Sequence, residues 1–476
     1  MIFSIEKKNA DALAICSAEG VTVTYGQLRE LLEQMKSVFC GRHLVFCMCE
    51  NTPGAAAGYL GMLESNVVPL LLGADLSLEQ FDAFYHVYEP SYVWAPLEWE
   101  KKLSGRVCDK VYEIYGYCLW RTGFMSGSFH GSLGLLLATS GSTGSPKLVR
   151  LSRKNIEANA ESIREYLELD ETERPITTLP MQYTYGLSII NSHLLAGACI
   201  LMTKESYVQG GFWKFFQEKK ATSFGGVPYT YEILKRMRIF TKNLPSLRSI
   251  TQAGGKLPEA LQEEIGKWTK AQNIRFFVMY GQTEATARMS YLPPENCLKK
   301  LGSIGIAIPG GKFYLAGEDG TPVNRIGEPG ELIYEGQNVS LGYAQNKEDL
   351  LLGDENGGIL HTGDIAKIDA DGYYYVVGRK KRFIKIYGVR VGLDACEQVL
   401  RARFADTEFA CTGCDNRLEI YGTDQNAVNE AADYLSGYLR LNKKSFFAFY
   451  LPQIPKNDSG KIQYTKLQSG RDSDDQ

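Results

Sequence analysis

Two textures of apolar patterning divide the chain. Up to Gly378, segments with apolar residues at helical spacing alternate with short unbroken apolar runs. "VTVTYGQLRELLEQMKSVF" reads as a strand end followed by an amphipathic helix carrying Leu28, Leu31, Leu32 and Met35 on one side, since residues three and four apart share a helix face. "HLVFCMCE" and "NVVPLLLGAD" are continuous apolar runs, the pattern of buried strands, and "GAAAGYLGMLESN" between them reads as helix. "ACILMTK", "ATSFGGVP" and "IRFFVMYG" repeat the strand pattern, with "GFWKFFQEKK" and "LPEALQEEIGKWTKAQ" as helices between or near them. The alternation predicts an α/β fold with a large N-terminal domain of layered α/β subdomains.

After Leu301 the texture changes. "GSIGIAIPGGKFYLAGEDGTPVNRIGEPGELIYEGQNVSLGY" is punctuated by Gly or Pro every few residues, which predicts a small β-rich, barrel-like module over 301–378. A second shift follows: "GRKKRFIKIYGVRV" is basic and strand-like, and leads into helix "GLDACEQVLRARF", strand "RLEIYGT", helix "AVNEAADYLSGYLR" and strand "SFFAFYLPQIP". The spacing predicts a smaller α+β C-terminal domain over 379–468, able to fold alone, with the main boundary at Gly378–Arg382 and a disordered tail over 469–476.

Composition narrows the classes. Of 476 residues, 44% are hydrophobic and 22% charged, and the net charge of −3 offers no broad basic face for nucleic acid. No apolar run approaches the ~18 residues of a membrane span; the longest candidates, Leu133–Ala138 and Val67–Leu72, have the length of buried strands. The N-terminus lacks a charged flank before an apolar core, so no signal peptide is expected, and eleven cysteines are then expected as reduced thiols in the cytosol. Cys411 and Cys414 form a lone C-x-x-C, too little for a four-ligand zinc site, and read as two small semi-buried residues near a turn.

The chemistry enters at "LATSGSTGSPKLVRLSRKNI". A loop rich in Gly, Ser and Thr can wrap backbone N–H groups and hydroxyls around an anion, and Lys147 adds a full charge. A helix starting near Ser152 would add its positive end. Polyphosphate is the natural guest; a flexible surface loop is the alternative. The Walker pattern fails, because Gly144 is followed by Ser145, Pro146 and Lys147, and Gly460-Lys461 by Ile462.

"TSGSTGSPK" (Thr139–Lys147) resembles the signature loop of the AMP-forming adenylating enzymes, which include acyl-CoA synthetases, nonribosomal adenylation domains and firefly luciferase. "YGQTEAT", "GELIYEGQNVSLGY", "HTGDIAKIDADGYYYVVGRKKRFIKIYG" and "PKNDSGKI" resemble further family motifs in the family's order, and "TYGQL" fits its N-terminal helix start. The resemblance covers almost the whole chain. It implies that a carboxylate attacks the α-phosphorus of ATP, giving acyl-AMP and pyrophosphate, and that a thiol then displaces AMP. Alignment and charge neutralisation suffice for the first step, because the substrate's own oxygen is the nucleophile.

The same resemblance implies roles. Thr139, Ser140, Gly141, Ser142, Thr143, Gly144 and Lys147 would hold the β- and γ-phosphates. Thr283 would bond the α-phosphate and Glu284 would bind Mg²⁺. Tyr280, with Gly281, would stack on adenine, and Gly254 and Gly255 of "QAGGK" would form the turn beside it. Asp364 would bond both ribose hydroxyls and Arg379 the ribose or phosphate. Lys461 would be the catalytic lysine of the small, mobile domain, and Lys381 the hinge about which that domain rotates after adenylation.

Three positions depart from common family patterns: Arg153 and Tyr183 where many relatives have His, and Gly392 where Glu is frequent. Amino-acid-activating relatives place an Asp in the segment matched by "QYTYG"; no acid occurs from Pro180 to Leu195, which favours an acid without an α-amino group. Tyr183, Tyr185, Phe224 and Val227 suggest an apolar or aromatic acyl pocket. The expected acceptor is coenzyme A. Transfer to the phosphopantetheine of an acyl carrier protein, amino-acid adenylation, and a catalytically silent scaffold are the alternatives.

Overall fold

A computed structural model describes residues 1–125, 127–138, 147–456 and 462–468, apart from the side chains of Lys381, Phe383, Arg390, Thr465 and Gln468. The chain divides into two compact units. One is Met1–Lys312 with Tyr334–Leu360; the other is Phe313–Ile333 with the chain from His361 on. The boundary expected at 378 falls inside the second unit.

The first unit is built on an eight-stranded sheet ordered Gly342–Ala344, Leu148–Ser152, Leu133–Ala138, Val68–Gly73, Leu44–Cys49, Tyr92–Pro96, Tyr117–Thr122 and Val107–Ile114. Its middle strands are apolar at every position because both faces are covered. Val45, Cys47 and Cys49 enter one core, whereas Leu44, Phe46 and Met48 enter another, as the two-residue period of a strand requires. Helix Tyr25–Val38 starts with a Thr24–Gln27 capping box and buries Leu28, Leu31, Leu32 and Met35. The expected strands and helices of this region are present, and the molecule is a mixed α/β protein.

A second sheet of the same unit runs Ser223–Gly226, Ser249–Gln252, Arg275–Tyr280, Ser290–Leu292 and Ile306–Ala307. Its first three strands are parallel. In such sheets the carboxyl ends of the strands and the loops after them are where ligands bind. "QAGGK" and "YGQTEAT" both begin at these ends.

The second unit contains a β-hairpin, Phe383–Ile386 with Val389–Gly392, then helix Leu393–Arg403 and a sheet of Phe409–Cys414, Arg417–Gly422 and Phe446–Tyr450 beside helix Gln425–Leu439. Strand Phe409–Cys414 is absent from the sequence expectation, because Thr412 and Gly413 interrupt its apolar pattern. It also explains the C-x-x-C. Residues three apart on a strand point to opposite faces, and Cys411 is buried while Cys414 is exposed. All eleven cysteines are free, and among the described residues no group of three or more His, Cys, Asp or Glu is placed to hold a metal. No helix among them is long and apolar enough to cross a membrane.

Candidate active site

Strands Leu133–Ala138 and Leu148–Ser152 form an antiparallel hairpin in which Ala138 faces Leu148 and Leu133 faces Ser152. The Gly/Ser-rich stretch is therefore the hairpin connection. Thr139, Ser140, Gly141, Ser142, Thr143 and Gly144 lie outside the described residues; Lys147 lies within them. Helix Arg153–Tyr166 does start where expected, on an N-cap and capping box formed by Ser152 and Asn155. Its contribution to the loop's field must be corrected, however. The helix begins at the far end of the hairpin, four strand residues or about 13 Å from Leu148, and the influence of a helix end fades within a turn.

What the hairpin does supply is register. Strand Gly342–Ala344 pairs with Leu148–Ser152, setting Tyr343 opposite Val149 and Ala344 opposite Leu148. Arg150, fully buried, fixes this pairing by donating to the carbonyls of Tyr343 (2.9 Å), Leu341 (3.2 Å) and Gly353 (3.0 Å) and pairing with Glu355. Lys147 Nζ then lies 3.4 Å from the Tyr343 ring centroid, and the Tyr343 hydroxyl donates to Glu284 Oε1 at 2.8 Å. Burial, and then the Glu284 carboxylate, push the Tyr343 phenol well above its usual range, so it stays a donor. A cation and a carboxylate from motifs over 130 residues apart thus share one tyrosine. A single carboxylate suits Mg²⁺, which takes one or two protein oxygens and leaves the rest to phosphate and water.

The "YGQTEAT" turn is held by asparagines. Asn338 Nδ2 donates to the carbonyls of Ala285 (2.8 Å) and Arg288 (3.1 Å), and its Oδ1 accepts from Tyr334. Thr286, at φ +66°, donates to the Asn338 carbonyl, and Ser340 N–H donates to the Glu284 carbonyl at 2.8 Å. From helix Arg153–Tyr166, Asn155 donates to the carbonyls of Gln337 and Val339, and Asn159 to that of Arg288. These residues carried no assignment in the sequence. Their one signal is an i, i+4 pair of asparagines beside Ile156, Ala160 and Ile163 on what is otherwise a buried apolar face.

Three of the four expected pocket residues and Gly254 converge. Gly254 has φ +86°, and a Cβ there would lie 2.7 Å from the Tyr183 hydroxyl and 3.1 Å from Val227. At Gly255 a Cβ would lie 3.2 Å from Pro228 Cγ. Tyr183 and Tyr185 stand edge to face at 6.5 Å, and the Tyr185 hydroxyl donates to Thr251 Oγ1 at 2.7 Å. Phe224 is not brought to them. It faces Tyr231 at 6.4 Å, while its neighbour Gly225 faces Tyr185 from the other side of the strand. Tyr280 is half-buried and accepts from Gln282.

In the second unit, Asp364 and Arg379 are register partners, with Arg379 Nε 3.3 Å from a carboxylate oxygen of buried Asp364. Lys380 pairs with Glu331 at 2.7 Å. Lys381 lies in the short Lys380–Arg382 turn, its side chain not described, and Lys461 lies outside the described residues. Of the departures, Arg153 pairs with Glu64 and Glu157, and Gly392 is the N-cap residue of helix Leu393–Arg403.

Residues 130–344 match the family model described as AMP-binding enzyme. The chain is 29% identical over 345 residues to the oxalate–CoA ligase of Arabidopsis thaliana, covering 69% of this chain and 66% of that one. It is 27% identical over 342 residues to the 2-succinylbenzoate–CoA ligase of Bacillus pumilus (70% and 68%), and 30% identical over 341 residues to the indoleacetate–CoA ligase of Aromatoleum aromaticum (69% and 65%). The matched stretch thus spans about two thirds of the relatives' length. Among solved structures, o-succinylbenzoate CoA synthetase from Bacillus subtilis with its acyl-adenylate superposes with a TM-score of 0.77 at 22% identity over 96% of this chain and 95% of that one. ATP-bound MatB from Rhodopseudomonas palustris gives 0.75 at 19%, over 98% of each. At these identities the solved structures establish the fold.

Proposed function

We propose that this chain, a member of the AMP-binding enzyme family, activates a carboxylic acid with ATP and transfers the acyl group to the thiol of coenzyme A. In the first step a carboxylate oxygen bonds to the α-phosphorus and the bond to pyrophosphate breaks. In the second, the thiol sulfur attacks the acyl carbon, the thiol proton leaves, and AMP departs. The observation that carries the reading is the Lys147–Tyr343–Glu284 arrangement: a cation and a carboxylate fixed beside the hairpin connection, where triphosphate charge must be spread.

Lys147 steadies the β- and γ-phosphates together with Thr139–Gly144. Thr283 holds the α-phosphate. Glu284 holds Mg²⁺, which when bound neutralises phosphate charge. Tyr280 and Gly281 seat adenine against Gly254 and Gly255. Asp364 holds the ribose hydroxyls, Arg379 the ribose or phosphate, and Lys461 offsets charge at the reacting carboxylate. Tyr183, Tyr185 and Val227 line the acyl side. The matched relatives are named for oxalate, 2-succinylbenzoate and indoleacetate, acids without an α-amino group, in keeping with the absence of an acid from Pro180 to Leu195.

The test is acid-dependent ATP–pyrophosphate exchange over a panel of carboxylic acids, followed by AMP release on adding coenzyme A. Exchange with one class of acid, and AMP release only with the thiol, is expected. Exchange confined to α-amino acids would overturn the substrate reading, and no exchange with any acid the whole of it.

A further inference from the structure

Arg288 is buried to 2% exposure. Among the described residues no carboxylate pairs with it. Its Nε donates to Ser188 Oγ at 3.1 Å, and one terminal nitrogen donates to the Tyr166 hydroxyl at 3.0 Å. Its guanidinium carbon lies 5.1 Å from the centre of the Tyr185 ring. The other terminal nitrogen has no partner among the described residues. A guanidinium cannot shed its proton to escape this setting. Two hydroxyls, the Met279 sulfur at 3.3 Å and a ring face return only part of the hydration it has lost, and a buried cation without a counter-charge costs several kcal/mol.

The position of this unmatched charge gives it meaning. Gly281 packs so closely on the next turn that a Cβ there would lie 2.9 Å from the Arg288 Cα. Arg288 therefore leaves the backbone beside the nucleotide-side turn and runs under Tyr185, whose neighbour Tyr183 touches Gly254. Gly254, Tyr183, Tyr185 and Arg288 thus follow one another through the acyl side of the site. Ser188, which accepts from Arg288, also lines a small cavity of mixed character with Asn159, Thr184 and Asn191 on one part and Leu135, Ile156 and Leu187 on another, and among the described residues Asn159 Oδ1 and Asn191 Oδ1 have no partner.

We propose that Arg288 is the specificity residue of the acyl pocket and that the substrate is a dicarboxylic acid. One carboxylate is adenylated and the other binds the guanidinium, whose planar pair of donors matches a carboxylate. The inference rests on the adenylating reading above and adds the substrate class to it. An ammonium is excluded twice over, since the pocket offers it a cation and no anion.

Exchange kinetics on matched acids decide it: succinate, glutarate and adipate, each against its half-amide and the unsubstituted monoacid of equal length. Wild-type protein is expected to use one diacid with kcat/KM about 100-fold above its half-amide, the scale of an ion pair lost from a buried site. Arg288→Met should lose that factor mainly through KM for the diacid, and Arg288→Lys should recover part of it. Should Arg288→Met fail to unfold cooperatively, the wild-type preference and Arg288→Lys decide alone. Equal or better turnover of monoacids by the wild type, or an unchanged preference in the variants, overturns the dicarboxylate inference and leaves the adenylating reading standing. No exchange with any acid overturns both.

Discussion

At the scale of single residues, the site is dense with positions that tolerate one side chain only. Gly281 is the sharpest. A Cβ there would lie 1.8 Å from the Ala287 carbonyl oxygen, a backbone atom held in turn by the Met289 N–H bond to the Tyr280 carbonyl. Nothing flexible can yield, so Gly281→Ala must displace the turn that carries Thr283 and Glu284. The expected cost is about 1–3 kcal/mol of stability, with exchange activity falling further than stability does. Urea unfolding and exchange assays on the same preparation check this; a variant as stable and active as wild type would refute the close packing. Lys147 and Glu284 were legible in the sequence because their motifs name them. Tyr343 lies within a motif, but its meeting with both depends on the strand register set by buried Arg150, which no local pattern shows. Arg288 gave no signal, because an arginine in a polar stretch reads as surface until its burial is known.

At the scale of elements, the periodic segments were read from the sequence and the connections were not. Helix Tyr25–Val38 and strand Leu44–Cys49 follow from spacing alone. The helix after the Gly/Ser-rich stretch starts where the sequence places it but does not act on that stretch, because pairing of two strands sets its positive end at the far end of the hairpin. Helix Thr184–Ala196 shows what element packing does to chemistry. It is buried on nearly all sides, and His193 on it bonds the Ile189 carbonyl through Nδ1 at 2.8 Å. Burial holds His193 down to about 4, opposed by the carbonyl bond and reinforced by the Arg288 charge. The folded protein thus binds this proton less readily than the unfolded chain. Stability from this group is complete above pH ~6.5 and is lost as pH falls towards 4, at roughly 1.4 kcal/mol per unit. His193→Leu removes the effect, so the gap between wild-type and variant urea midpoints should narrow on going from pH 7 to pH 4.5. A constant gap would mean the imidazole is not withheld from protonation.

At the scale of the molecule, the described residues on either side of Lys461 share one network with the turn that carries Lys381. Lys456 and Ile462, on either side of it, form an antiparallel bridge. Two residues on, Tyr464 lies under the Arg382 guanidinium at 3.7 Å and donates to Glu397 at 3.2 Å. Arg382 itself pairs with Glu397 at 2.6 Å and Asp394 at 2.5 Å, and Glu397 also accepts from the Cys411 N–H. Desolvation pushes the Glu397 carboxyl upward, and Arg382 first among its neighbours draws it back, so the pair is held together by mutual need. The turn and the Ile462–Tyr464 segment that follows Lys461 are thereby tied through one network, so the rotation proposed at the turn would carry that segment with it. If withdrawal of that lysine separates the two half-reactions, its removal must affect them unequally. Lys461→Ala is expected to lower ATP–pyrophosphate exchange by about 10²-fold or more. Thioester formation from supplied acyl-AMP and coenzyme A should stay within a few-fold of wild type, because that step needs the adenylate already made and no charge offset at the α-phosphorus. Equal loss in both assays would mean that Lys461 holds the nucleotide throughout.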